Sequence, residues 1–264
     1  MNDQPVTLEY DDGVAVITLN RPDAMNSLTT DTKVALRDTV LRVAEDEKVR
    51  CVVLTGTGRA FCVGQDLKEH AAVLSTGDTD GLFSTVGEHY NPMVTALATM
   101  PKPVLAAVNG IAAGAGASLA FACDFRLLAD SAGFNLAFSG IGLSCDTGSS
   151  WTLPRLVGRA KALELLYFPR TLNAQESLDL GLATEVVPAT ELTARATELA
   201  GRLASGPTLA FGAIRRSLTF AAGEELAAAL AYEAEMMALT GATSDHHRAV
   251  DSFLAKQKPS FEGS

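Results

Sequence analysis

Cysteine is sparse in this sequence and shows no pairing pattern. Cys51, Cys62, Cys123 and Cys145 are scattered, with no C-x-x-C pair. That excludes a compact zinc ribbon or a disulfide framework and fits reduced, mostly buried thiols in a cytoplasmic protein. His70, His89, His246 and His247 show no H-E-x-x-H spacing, so no metal is expected. Positive charge is also short, 21 Lys and Arg against 31 Asp and Glu, for a net charge of −10. Nucleic acid and anionic membranes both need a basic face, so neither is an expected partner. The opening MNDQPVTLEYDD has no basic segment followed by an apolar one, and no signal peptide is expected. The uncharged stretch 103–123 holds Pro103, Asn109, three glycines and only two leucines. Its hydrophobicity is too weak, and its polar break too costly in lipid, for a membrane span.

What is present is ordinary globular material. With 47% apolar and 20% charged residues in 264, the chain has room for one large domain and a smaller helical part. The stretch Pro103–Asp124, PVLAAVNGIAAGAGASLAFACD, organises the rest. It opens as a buried strand, breaks at Asn109-Gly110 and continues with the spacing of a helix. Gly114 and Gly116 at the join permit close approach of a ligand to the backbone. A helix N-terminus there offers unpaired N–H groups, suited to an anion or to negative charge developing in a reaction. Taken alone, the motif is better read as a plain strand-to-helix packing joint.

Along the chain, Val6–Tyr10 and Val14–Leu19 read as a hairpin turning at Asp11-Asp12-Gly13. Residues 20–28 (NRPDAMNSL) read as a loop. From Asp31 to Glu47, Leu36, Val40 and Val43 share one helical face. Arg50–Thr55 reads as a buried strand, 56–70 as a glycine-punctuated loop leading to a helix, and 71–86 as a mobile or partly ordered insert. A helix is expected from Gly87 to Met100. Strands are expected at Phe125–Ala129 and Leu182–Val187, a loop at Phe134–Gly148, and helices at Ser149–Val157 and Ala160–Tyr167. From about Glu191 to Lys256 the pattern is helical, broken at Gly206-Pro207 and Gly241. Strands alternating with helices, then helices alone, give an α/β fold: a core over 1–195 and a helical C-terminal region over 196–264.

Three separated segments, NRPDAMNSL, RAFCVGQDLKE and PKPVLAAVNGIAAGAGASLAFACDFRLLAD, resemble signature blocks of the crotonase superfamily, the enoyl-CoA hydratases and isomerases. GLSCDTGSSWTLPRLVGRAKALEL and SFLAKQKPSF fit the same family, so the resemblance covers nearly the whole chain in order. Within the family, the block beginning HYNPMV is similar to the 1,2-epoxyphenylacetyl-CoA isomerase branch. The resemblance implies a crotonase-like spiral of ββα units, with a helical C-terminal part that drives assembly into a homotrimer or a dimer of trimers. It also implies an acyl-CoA thioester substrate whose carbonyl becomes an enolate-like oxyanion, with no cofactor beyond the CoA carried by the substrate. By motif position, the N–H groups of Gln65 and Ala115 would hold that oxygen.

Where hydratases of the family carry two glutamates, this chain has Ser118 and Phe138, neither of which exchanges a proton as a carboxylate does. Asp146 falls where the family's isomerases carry a single acid/base; by its flanks alone it would also serve as a helix N-cap. An apolar wall at Phe138 is expected to raise the pKa of a nearby carboxyl. Ala24, Met25, Ala60, Gln65, Asp66 and Leu67 match positions along the CoA path, and Asp66-Leu67-Lys68 is also a plain helix start. Phe253 and Lys256 match positions that touch CoA in a neighbouring subunit; an amphipathic helix end accounts for them too. His89 precedes Tyr90-Asn91-Pro92 and is within reach of the acyl pocket, but a helix-surface or satisfied core histidine is the preferred reading of it. The leading activity is isomerisation through Asp146, a proton moving between C2 and C4. The alternatives are enoyl-CoA hydration, attack by Asp146 as a nucleophile in hydrolysis or dehalogenation, and non-catalytic acyl-CoA binding.

Overall fold

The computed structural model describes residues 4–77 and 79–264. Its framework is a six-stranded sheet in the order β1-β2-β3-β5-β7-β10 and a four-stranded sheet in the order β4-β6-β8-β9. The first comprises β1 (Val6–Asp11), β2 (Val14–Leu19), β3 (Cys51–Gly56), β5 (Val104–Val108), β7 (Phe125–Ala129) and β10 (Glu185–Val187). The second comprises the three-residue strands β4 (Ala60–Cys62), β6 (Ile111–Ala113), β8 (Gly133–Asn135) and β9 (Thr171–Asn173). Only the β1–β2 hairpin and the β8–β9 pair are antiparallel.

Three times in succession, one strand enters the large sheet and the next enters the small one: β3-β4, β5-β6 and β7-β8. Helices follow the first two pairs, α2 (Leu67–Leu74) and α5 (Ala115–Phe121). That is the expected winding of ββα units. The central strands are parallel and covered on both faces, so β5 reads VLAAV with all five residues buried and no polar alternation. Helix α1 (Thr30–Glu45) buries Leu36, Val40 and Val43 against the start of the large sheet and α4 (Asn91–Thr99). Helix α9 (Leu192–Ala204) packs on β2, β3, β5 and β7 through Ala196, Ala200 and Ala204, which lets it lie close to the strands. The division expected between residues 195 and 196 therefore falls inside a helix that covers the sheet.

The remaining helices are α3 (Thr79–Thr85), α6 (Ser149–Val157), α7 (Arg159–Tyr167), α8 (Ala174–Asp179), α10 (Thr208–Ala221), α11 (Leu226–Gly241) and α12 (Ser244–Leu254). Segment 71–86, expected as a loosely ordered insert, is helical where described, with α2 running to Leu74 and α3 starting at Thr79; Asp78 lies outside the described residues. A π-helical turn, Val86–Tyr90, precedes α4. The loops expected at 56–70 and 134–148 conceal β4 and the end of β8, while β6, β9 and α8 had no counterpart in the sequence reading. Strands of three residues, written AFC, IAA, GFN and TLN, are too short to show an alternating pattern.

The helical C-terminal region is joined to the core through Arg215 on α10. Its guanidinium donates to the Asp124 carboxylate at 2.8 Å and to the carbonyls of Leu97 (2.7 Å), Lys102 (2.8 Å) and Met100. Asp124 also caps the start of β5, accepting from Val104 N–H at 2.8 Å. Burial pushes the Asp124 carboxyl up, and Arg215 opposes that shift. Arg215→Met removes one partner of a buried pair and strands three carbonyls, at a cost of about 3–5 kcal/mol. The expected result is a lower urea midpoint with an unchanged m-value; an unchanged midpoint would show that the joint is held by apolar contacts alone.

Candidate active site

The cavity lies where the two chain turns after β4 and β6 meet. Gly64 (φ 82°) and Gly114 (φ 51°) both occupy the left-handed half of the map. A Cβ on Gly64 would lie 2.9 Å from the Ala113 carbonyl oxygen and 3.3 Å from the Ala115 nitrogen, so only glycine allows this approach. Gly116 is tighter still: a Cβ there would lie 2.1 Å from the Cys62 carbonyl oxygen. Helix α5 is thereby pressed on β4, with all seven of its residues buried.

This approach brings two peptide N–H groups to one cavity wall. Gln65 bridges to Leu28, but the bonds of that bridge run from Leu28 N–H to Gly64 O and from Asp66 N–H to Leu28 O. The Gln65 N–H is left out of the ladder. Ala115 is the first residue of α5, where an N–H has no acceptor within its helix. Neither donates to another group among the described residues. Both residues line a cavity of about 140 Å³, together with Tyr90, Phe138, Leu143 and Asp146. Leu67, Leu82, Phe83 and Val86 make much of the remaining wall apolar.

Asp146 is the one carboxylate among the described residues lining that cavity. It is half-buried, and its Oδ1 accepts from Thr147 Oγ1 at 2.9 Å. It does not cap α6, whose N-cap is Gly148 with no side-chain bond. Thr147, buried and β-branched, holds φ at 51°, a strained conformation of the kind that clusters at functional sites. Burial pushes the Asp146 carboxyl above the usual aspartate range; the Thr147 hydroxyl and the Lys33 charge pull the other way.

The other expected site residues divide into three groups. Ala24, Met25, Ala60, Asp66 and Leu67 are drawn together because the 20–28 loop is stitched to 57–69. Asn26 Nδ2 donates to Thr57 O and Ala60 O at 3.0 and 2.8 Å, and Asp66 Oδ2 accepts from Ser27 Oγ at 2.8 Å and Arg21 at 3.3 Å. Asp66 is also the N-cap of α2, through Lys68 N–H and Glu69 N–H, so its reading as a helix start holds. Ser118 and His89 are not brought into the cavity lining. Ser118 is 0% exposed; its Oγ donates to Gly114 O at 3.0 Å and shares a 2.5 Å bond with Ser149 Oγ. His89 is a buried histidine paired with Thr85 Oγ1 at 3.0 Å, beside a separate polar cavity. Phe253, 80% exposed at the end of α12, and Lys256 just beyond it do not line this chain's own cavity.

Sequence reasoning missed Tyr90, Thr147 and Lys33. Tyr90 OH donates to Gln65 Oε1 at 2.8 Å, and burial first, then the Asp146 charge, holds its hydroxyl well above the usual range. Lys33 carried a readable signal, because it precedes Leu36, Val40 and Val43 at helical spacing on the buried face of α1.

Other proteins match this fold and nearly the whole chain. The family model described as "Enoyl-CoA hydratase/isomerase" matches residues 9–264. The chain is 41% identical over 251 residues to the 1,2-epoxyphenylacetyl-CoA isomerase of Escherichia coli (strain K12), covering 95% of each. It is 34% identical over 259 residues to the crotonyl-CoA hydratase of Syntrophomonas wolfei subsp. wolfei, covering 97% of each. Among solved structures, an enoyl-CoA hydratase from Bacillus anthracis superposes with a TM-score of 0.93 at 32% identity, over 99% of this chain and 100% of the other. The fold is that of the crotonase superfamily, and the chain belongs to its enoyl-CoA hydratase/isomerase family.

The environment of Asp146 predicts a pH-dependent stability. Because its folded pKa is raised, the ionised carboxylate opposes folding. That penalty is absent below the ordinary aspartate pKa and complete above the raised one. Asp146→Asn is expected to melt higher than the parent at neutral pH, with the gain vanishing as pH falls through that window. A gain that grows toward acid would contradict the burial effect.

Proposed function

We propose that the protein is an acyl-CoA isomerase in which Asp146 moves a proton between C2 and C4 of an enoyl thioester. The observation that carries this reading is the cavity lining: one carboxylate facing the wall that holds two unpartnered peptide N–H groups. With the thioester oxygen on the Gln65 and Ala115 amides, the ionised Asp146 takes a proton from C2. The C2–H electron pair delocalises onto the thioester oxygen as a dienolate. The same carboxyl then returns its proton to C4, and the double bond shifts into conjugation without water. Each amide contributes about 2.7–4 kcal/mol to stabilising that oxyanion. A raised Asp146 pKa brings proton affinity nearer the working pH.

CoA enters as part of the substrate and no separate cofactor takes part. The CoA path runs past Ala24, Met25, Ala60, Asp66 and Leu67, a grouping supported by the hydrogen bonds between loop 20–28 and the start of α2. Hydration is the second reading, favoured by names such as that of the crotonyl-CoA hydratase relative. The apolar Phe138 and the sealed Ser118, at the positions of the two hydratase glutamates, weigh against it. Four free thiols, three of them buried, support a cytoplasmic setting. Among the described residues no helix is long and apolar enough to cross a membrane.

Two outcomes test this reading. The purified protein should convert 3-enoyl-CoA to 2-enoyl-CoA faster than it hydrates 2-enoyl-CoA, and Asp146→Asn should lose the isomerisation while still binding CoA esters. Equal activity in Asp146→Asn, or faster hydration by the parent, would falsify it. The assembly is proposed as a trimer or a dimer of trimers. Leu218, Leu226, Met237, Phe253 and Leu254 stand exposed on α10, α11 and α12, more apolar surface than a lone chain usually leaves in water. Light scattering at micromolar protein should give three or six chain masses. A single chain mass would remove the proposed reach of Phe253 and Lys256 to a neighbour's CoA.

A further inference from the structure

Lys33 is 2% exposed on α1. Its Nζ donates to Thr85 Oγ1 at 2.6 Å and to Gln65 Oε1 at 3.3 Å, and lies 5.7 Å from the Tyr90 ring centroid. It forms no ion pair with a carboxylate among the described residues. The acidic group that acts on it most strongly, Glu69, accepts from Thr30 N–H and Thr30 Oγ1 at the start of α1. A buried cation without a counter-ion costs free energy that an apolar side chain of the same length would not. Its hydrogen-bond partners, Gln65 and Thr85, both line the cavity, as does Tyr90.

Gln65 is the point of leverage. Its side-chain oxygen accepts from Tyr90 OH and Lys33 together, while its main-chain N–H has no internal acceptor. The two anchors come from different elements, α1 and the π-helical turn. A side chain fixed at both fixes the peptide that carries it.

We propose that Lys33 is a positioning residue of the site: through Gln65 and Thr85 its ammonium holds the Gln65 N–H toward the cavity and supplies the positive charge that faces Asp146. This rests on the isomerase reading above. When C2 loses its proton, the negative charge leaves Asp146 and appears on the thioester oxygen held at Gln65. A fixed cation behind Gln65 faces the charge at both stages.

The charged and titratable groups around Lys33 are Glu69 and His70 from α2, Asp146 from the loop before α6, and Glu88, His89 and Tyr90 from the π-helical turn, with Arg37 from α1 acting on His89. Of these, Asp146 feels Lys33 as a charge that favours its ionised form.

The test compares the parent with Lys33→Met and Lys33→Arg. It reads kcat and KM separately, the acid limb of the kcat profile, and the Asp146 carboxyl titration by ¹³C NMR, assigned with Asp146→Asn. In Lys33→Met, kcat should fall about ten- to hundredfold, as for a slight misplacement of a catalytic group, with KM little changed. The acid limb and the Asp146 midpoint should both move to higher pH, and Lys33→Arg should restore the midpoint toward the parent. If Lys33→Met does not fold, Lys33→Gln, which keeps hydrogen bonding and loses the charge, should give the same midpoint shift. A lower melting temperature with unmoved kcat and midpoint would mean that Lys33 is purely structural, and the proposal falls. The NMR titration needs no turnover. An unmoved midpoint therefore sinks the role of Lys33, whereas a fully active Asp146→Asn sinks the isomerase reading alone.

Discussion

Two peptide N–H groups from different chain turns can share a cavity only if both backbones approach without side chains between them. In this protein that constraint is met at Gly64 and Gly116, where an added Cβ would lie 2.9 Å from the Ala113 oxygen and 2.1 Å from the Cys62 oxygen. The ββα winding supplies the approach. Each unit places its short second strand, β4 or β6, at the same level, so the turns that follow them are neighbours although about 50 residues separate them in sequence. Helix α5 can then begin at Ala115 with its first N–H unspent.

Around that backbone feature the side chains divide the labour between apolar and polar walls. Phe138, Leu67, Leu82 and Val86 give the cavity an apolar wall, and burial raises the Asp146 carboxyl. Behind the other wall, which Gln65, Thr85 and Tyr90 line, runs a hydrogen-bonded chain: Tyr90 to Gln65, Gln65 to Lys33, Lys33 to Thr85, Thr85 to His89. Such a network is stable only when each member is satisfied. The π-helical turn Val86–Tyr90 aims the Tyr90 hydroxyl and the His89 ring at it, consistent with the tendency of π-turns to occur at functional sites.

The C-terminal helices obey a different balance. Arg215 ties α10 to the core by four bonds, and Arg50 ties in Gly206, Thr208 and Phe261. Beyond those ties, α11 has no buried residue. Its Leu226, Leu230 and Met237 stand exposed, and the proposed assembly would cover them, so that assembly and the proposed CoA contacts of Phe253 and Lys256 stand or fall together.

Much of this was legible along the chain. Apolar runs of five or six residues marked β3, β5 and β7, helical spacing marked α1, α6 and α7, and the order of motifs marked the family, because each signal is local. The three-residue strands were not legible: they are held by pairing with strands distant in sequence, not by their own pattern. The sequence alone determined that aspartate stands at position 146 and that serine and phenylalanine stand at 118 and 138, the positions where the resemblance implies the two hydratase carboxylates. Only tertiary structure decided that Asp146 lines one cavity with Gln65 and Ala115, that Ser118 is sealed against Ser149, and that Lys33 bonds to Gln65. Those relations join residues 30 to 80 positions apart, and an approach of that range is set by backbone packing, which no local pattern encodes.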